Sequence, residues 1–282
     1  MITNKYGLPD TIVRAVSNDD YDRGNSWRTV TELINPPRLV TLRRLHKDEL
    51  VEDVSDRMWI LLGKAVHKIL EEAGEEGYTE ERVYAKILGK LIGGQTDRVL
   101  IKKKKIPLKR GRPKTVAEIV DWKVTSVWTI LFKSRLREWE FQLNSYAYLW
   151  HANKLKNIDS LKVCAILRDW RDSEKAKDGY PPTPFALIDL PKWEYPIIKS
   201  YLEDRVKAHL YSESVLPECS DEDRWMNPKT RRFVRCERYC PVAAFCDQWQ
   251  EVQKTRGLKE NDPAVIQRKE YIGSVIKHLE EG

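Results

Sequence analysis

The sequence predicts an α/β protein in which a mixed central sheet is flanked by helices and followed by a C-terminal cysteine-bound metal segment. Three observations predict it. Apolar residues recur at helical spacing in two stretches, 60–70 and 137–150, strand-like runs lie between and after them, and four of the five cysteines crowd into 219–246. The order helix, strand hairpin, strand, helix builds a mixed sheet with helices against it.

Residues 1–53 read as an N-terminal extension that opens extended. A short helix then starts at the capping box Thr29-x2-Glu32 and runs into Pro36 and Pro37. In the next stretch Ile60, Leu61, Leu62, Ala65, Val66, Ile69 and Leu70 have the spacing of a helix packed on a core. Gly63, His67 and Glu71 share one edge of that helix, with Glu71 read as a solvated carboxylate. GGQTDRVLI at 93–101 reads as a paired-glycine turn entering a strand, so that Asp97 can face the next strand across a hairpin. That next strand is IVDWK at 119–123. Side chains i and i+2 point the same way, so Asp121 and Lys123 share a face while Glu118, Val120 and Trp122 take the other. A carboxylate beside a lysine on a core strand is costly to bury, and belongs to a structural ion pair, a metal site or activated water. REWEFQLNSYAYLW at 137–150 then places Gln142 and Tyr146 one turn apart. Two strands, VCAILRDW and PFALIDL, a helix at 192–214, the cysteine segment and a charged helical tail beyond Pro263 complete the chain. The organisation expected is an extension (1–53), a core (54–215), a four-cysteine segment (216–250) and a tail (251–282), all packed as one elaborated domain.

Gly63-x3-His67, Asp97 after GGQT, Asp121-x-Lys123 and Gln142-x3-Tyr146, in this order, resemble the RecB-like branch of the PD-(D/E)XK nuclease superfamily. That branch includes the CRISPR-associated RecB-like nucleases and exonuclease V. The resemblance spans 63–146 and implies a restriction-endonuclease-like fold. The chemistry suits these residue types, since phosphodiester hydrolysis uses clustered acidic oxygens to hold a metal that activates water. Asp97 and Asp121 can supply the oxygens. The resemblance adds His67 and the main-chain carbonyl of Trp122 as ligands for Mg2+ or Mn2+, makes Lys123 the water-orienting amine, and assigns Gln142 and Tyr146 to the substrate strand. An imidazole among oxygens accommodates Mn2+ better than an all-oxygen site does. The chain departs from the family pattern in having Trp122 where Glu is frequent.

Cys236-x3-Cys240-x5-Cys246, with Cys219 upstream, reads as metal ligation, because no secretory or transmembrane segment points to an oxidising compartment. Cys164, inside an apolar strand, reads as a small buried hydrophobe. The resemblance implies a [4Fe-4S] cluster, for which Cys219 must be the fourth ligand, since no cysteine precedes the histidine motif. A four-thiolate zinc site and free thiols remain the alternatives.

A formal charge of +7 suits a polyanionic partner. The basic run 102–114 falls between the two acidic strands, and its Lys102, Lys103, Lys104, Lys105, Arg110 and Arg112 are candidate DNA contacts. RGRP at 110–113 resembles an AT-hook, while a solvated basic turn making phosphate contacts is the plainer reading. The expectation is therefore a metal-dependent DNA nuclease in a reducing, cytoplasmic setting, without membrane association. It would be an exonuclease on single strands or duplex ends in recombination, repair or replication, of viral or mobile-element origin in one version, with replication or recombination proteins as partners. A structure-specific or CRISPR-adaptation endonuclease and a non-catalytic DNA-binding subunit are the alternatives.

Overall fold

The computed structural model describes residues 1–17, 23–74, 76–104, 114–153 and 157–256. The chain divides into two compact units interleaved in sequence. One gathers Met1–Val13, Asn35–Asp56 and Lys207–Gly282, the other Arg14–Ile34 and Arg57–Val206. The elements in chain order are β1 (Ile2–Thr3), α1 (Asp10–Ser17), β2 (Arg28–Thr29), α2 (Val30–Ile34), α3 (Pro37–Leu45), β3 (Glu52–Asp53), α4 (Met58–Ala73), β4 (Gly77–Ile87), β5 (Lys90–Lys104) and β6 (Lys114–Thr125). There follow α5 (Val127–Leu131), α6 (Leu136–Ala152), β7 (Ile158–Leu167), β8 (Phe185–Leu190), α7 (Tyr195–Tyr211) and α8 (Asp247–Arg256). Among the described residues no helix is long and apolar enough to cross a membrane.

The larger unit is an α/β assembly around a six-stranded mixed sheet, ordered β2-β5-β6-β7-β8 with β4 also paired to β5. β4 and β5 form an antiparallel hairpin closed by Leu88 and Gly89, whose φ values of 48° and 77° are those of a two-residue primed turn. β6 runs antiparallel to β5 and parallel to β7. One edge of β5 is shared, because β2 takes Ile92 and Gly93 whereas β6 takes Arg98 onward. Between these two pairings the strands part, and Asp97 lies at the parting. Trp139, Leu143, Leu149 and Trp150 of α6 are buried in the core of this unit.

Three expectations are corrected. Gly93 and Gly94 lie inside β5 rather than in a turn, because the reversal is made at Leu88–Gly89. Their lack of side chains serves close approach: a Cβ on Gly94 would stand 2.7 Å from the Tyr146 ring, and one on Gly93 would stand 3.0 Å from Ser26. Next, α4 lies against β6 but is only partly covered. None of its residues is buried, and Ile60, Leu62 and Ile69 are exposed. Periodicity reports that a helix has an apolar stripe, not that a partner covers it. Finally, Cys164 is half-buried, on the β7 face that also carries Lys162 and Ile166, and burial raises its thiol pKa.

The smaller unit has a short parallel pair, β1 with β3, and a core in which Leu39, Val40 and Leu42 of α3 pack with Phe233, Cys236, Val242, Ala243, Cys246 and Trp249. The tail beyond Arg256 lies outside the described residues.

Candidate functional site

The β4–β5 register that pairs Thr79 with Arg98 and Glu81 with Thr96 sets Glu80 opposite Asp97. One step beyond the Arg98–Val120 pair, the β5–β6 register sets Asp97 opposite Asp121. Three carboxylates therefore stand on one rung of three antiparallel strands, and alternation aims them at the same face. His67 comes to this rung from α4, with Nδ1 3.7 Å from Glu80 Oε1 and 3.7 Å from Asp97 Oδ1. Ligand atoms of His67, Glu80 and Asp97 all lie within 4.8 Å of one another, a spacing able to hold a metal ion. From the second rung Lys123 Nζ lies 2.5 Å from Asp121 Oδ2.

The surroundings explain why these acids are not simply paired off. Where β5 and β6 separate, the Trp122 main-chain N–H turns to Asp97 Oδ2 at 2.8 Å, leaving Oδ1 toward His67. Gln95 Nε2 donates to Glu80 Oε2 at 2.9 Å, and Gln95 Oε1 accepts from Arg82 at 2.6 Å. Glu80 has a left-handed backbone, φ 49°, an unfavourable conformation for a residue with a side chain. Asp121 is almost wholly buried, and its Oδ2 takes no aligned hydrogen bond despite the nearby ammonium.

Titration follows from this crowding. Burial, then the neighbouring Asp121 charge, push the Asp97 carboxyl up to about 7, against the opposing pull of Lys123, His67 and the Trp122 N–H. The His67 imidazole is raised, first by its bond to Glu80 and then by Asp97, while burial opposes the shift. Burial alone would lower Lys123, but Asp121 and Asp97 outweigh it and the net shift is upward, so the side chain remains an ammonium. Excess negative charge in a partly dry site is an environment that a divalent cation relieves. The donor set at that spacing, one imidazole and two carboxylates, fits Mg2+ or Mn2+, and Asp121 stands outside it against Lys123.

Gln142 Nε2 donates to the Tyr146 hydroxyl at 2.9 Å, and Tyr146 is buried against Gly94. Burial and then Asp121 raise its pKa, so it forms a neutral wall of the site. The main-chain group of Trp122 engaged here is its N–H. Glu71 accepts from Lys68 Nζ at 3.1 Å. Lys102 lies on the sheet face opposite Asp97, donating to Glu118 Oε1 at 2.7 Å. Lys105, Arg110 and Arg112 lie outside the described residues, as do the side chains of Lys103 and Lys104. Glu80 is the site residue that sequence reasoning missed. The signal was the Leu88–Gly89 turn, from which counting outward along the hairpin reaches Glu80 and Asp97 together.

In the smaller unit Cys236 and Cys246 are buried and Cys219 and Cys240 half-buried, none of them in a disulfide. Burial, then Asp223, then the other three cysteines push the Cys219 thiol up to about 12. The described residues that converge at metal-ligand spacing are His67, Glu80 and Asp97, and the four cysteines are not among them. Gln248 of α8 clamps the Cys219 main chain, accepting from its N–H at 2.9 Å and donating to its carbonyl at 3.0 Å. The buried Arg38 guanidinium donates from Nε to Cys246 Sγ at 3.4 Å and pairs with Asp247.

No family model matches the chain, and no curated protein matches it. Among solved structures, one titled "Crystal structure of SSO0001" is similar, with a TM-score of 0.50 and 18% identity over 85% of this chain and 93% of that one. At that identity the likeness concerns the fold alone.

Proposed function

We propose that this chain is a metal-dependent DNA nuclease of the RecB-like PD-(D/E)XK type, with a restriction-endonuclease-like core. The observation that carries the reading is the rung of Glu80, Asp97 and Asp121, met by His67 from α4 and by Lys123 from the same strand as Asp121. A bound Mg2+ or Mn2+ would supply Lewis-acid stabilisation of the phosphate and a more acidic water. The chain's own residues do the remainder. His67, Glu80 and Asp97 would hold the cation, joined by Asp121 from the neighbouring strand, with Glu80 oriented through Gln95. Lys123, fixed as an ammonium by two carboxylates, offsets charge developing on the phosphate oxygens and orients the water. Tyr146 and Gln142 close one wall. The preferred activity is exonucleolytic, on DNA ends during recombination, repair or replication. A reducing, cytoplasmic setting suits five cysteines of which none is in a disulfide.

The test is hydrolysis of end-labelled single-stranded, duplex and circular DNA with Mg2+ or Mn2+. Metal-dependent loss of linear DNA is expected, together with its abolition by Asp121→Ala, with binding intact. Cleaved circles would make the enzyme an endonuclease, and full activity in Asp121→Ala would place the site elsewhere.

The reading includes a metal centre on Cys219, Cys236, Cys240 and Cys246, a [4Fe-4S] cluster in preference to zinc. Protein purified anaerobically should be brown and contain iron and sulfide. A colourless protein with a single zinc would give the alternative, and neither metal in reduced protein would remove the centre. Replacing Cys236 with Ser should lower metal content and melting temperature, since metal binding is coupled to folding.

A further inference from the structure

Beyond Lys123 the β6 strand runs only to Thr125, and this corner presents aromatic rings to solvent. Trp128 and Phe132, on α5 and at its C-terminal cap, are 57% and 72% exposed. Their rings are stacked, with centroids 5.7 Å apart and planes 12° from parallel. Trp59 at the start of α4 is 53% exposed and carries the Arg168 guanidinium 4.0 Å from its ring centre. Hydrogen bonds tie these groups to one corner. Arg168 N donates to the Thr125 carbonyl at 3.0 Å, and Asp169 accepts from Ser126 Oγ at 2.6 Å and from Val127 N at 2.7 Å. Two residues of strand, roughly 7 Å, separate Lys123 from Thr125. Arg135, just past the exposed Lys133, is close enough to oppose the Lys123 charge. The rings therefore flank the candidate centre.

Exposed aromatic faces alternating with cations are the chemistry of a single-strand platform, on which bases stack and the backbone meets positive charge. We propose that Trp128, Phe132 and Trp59 form a stacking ledge that takes unpaired bases of the nucleic-acid strand beside the scissile phosphate. The proposal rests on the nuclease reading, because a phosphate seated at Asp121 and Lys123 is what brings neighbouring bases to this corner. A protein partner would call for an apolar patch depleted of charge at its centre. Here the Arg168 guanidinium lies over Trp59, exposed Lys133 follows Phe132 in the chain, and Arg135, two residues on, pairs with Glu138. Every base has a π-face, so the ledge selects for unpaired bases and not for sequence.

The experiment compares a labelled oligodeoxythymidine with an abasic strand of equal length and charge, by fluorescence anisotropy in EDTA so that nothing is cut. The Trp128→Ala/Phe132→Ala variant should bind the base-bearing strand about tenfold more weakly or worse. Its binding to the abasic strand and its melting temperature should be unchanged, and Trp128→Phe with Phe132→Tyr should restore binding. Equal weakening on both strands, or no weakening, overturns the ledge, and no weakening together with a changed native mass assigns the rings to a protein contact. Hydrolysis by the unaltered protein with Mn2+ keeps the two readings apart. Cleavage alongside a variant indifferent to bases overturns the ledge alone, whereas ring-dependent base binding in a protein that cuts nothing overturns the nuclease reading alone.

Discussion

Asp97 and Glu118 are carboxylates on the two strands of one hairpin, facing opposite sides of the sheet, and the fold treats them in opposite ways. Glu118 Oε1 accepts from Lys102 at 2.7 Å, its Oε2 accepts from Ser160 at 3.0 Å, and Lys162 stands 3.4 Å away. Burial would raise its pKa, but these partners outweigh burial and hold it below the ordinary 4.5. Asp97 is set among Glu80, Asp121 and a histidine, and burial with Asp121 drives its pKa up to about 7. A satisfied carboxylate stabilises a sheet. An under-satisfied one, kept beside others of its charge, marks a place where a cation is to be held.

The widest separation between the two should be in activity. Asp97→Asn should lower metal-dependent hydrolysis at least about 100-fold, since loss of even an outer partner of a metal ligand costs 10- to 100-fold. Glu118→Gln should leave turnover unchanged and instead lower stability by about 1–3 kcal/mol, because Lys102 and Lys162 lose a charged acceptor. Rates on end-labelled DNA and thermal melts on the same preparations check both arms. Were the two variants to exchange phenotypes, the comparison would fail.

Gly94→Ala sharpens the contrast from the backbone side. Its Cβ would meet ring carbons of Tyr146 at 2.7 and 2.8 Å and Leu149 at 3.0 Å, and a packed ring cannot swing aside. A loss of about 1–3 kcal/mol is expected from overpacking, read in denaturant midpoints.

The smallest effect is in pH dependence, with opposite signs for the two acids. The folded pKa of Asp97 is raised above its ordinary 3.8, so its contribution to metal-free stability is full below that value and is lost as pH climbs toward about 7. Asp97→Asn should remove that decline. The folded pKa of Glu118 is depressed, so its contribution is present above 4.5 and fades as pH falls, and Glu118→Gln should flatten the acid limb. Melting temperatures of metal-free protein across the acid and neutral range test both slopes.

Strand parity alone put Asp121 and Lys123 together and sent Glu118 to the other side. The capping box at Thr29 and Glu32 forms as its spacing requires, with Thr29 N donating to Glu32 Oε2 at 2.9 Å. Glu80 is legible only through the hairpin's register, which is set at Leu88–Gly89 and not at the glycine pair inside β5. The partial exposure of α4 was equally hidden, since a helical stripe looks the same in sequence however much of it is covered. The crowding of Asp97 is a property of three strands meeting at one rung, which no local window contains.

The interleaving of the two units bears on the order in which this chain can mature on a ribosome. By the time Val206 has emerged, every segment of the sheet-bearing unit has been made. The other unit must wait. Arg38 is synthesised early, yet its partner Cys246 lies 208 residues further on. Nascent Leu39, Val40 and Leu42 therefore have no apolar neighbours from the cysteine segment until Phe233 to Trp249 have been made, and pairings so distant in sequence are slow to form. A chain truncated before Cys236 should keep its sheet and lose the cover of α3, which makes this helix the place where chaperone dependence and premature aggregation would first be seen.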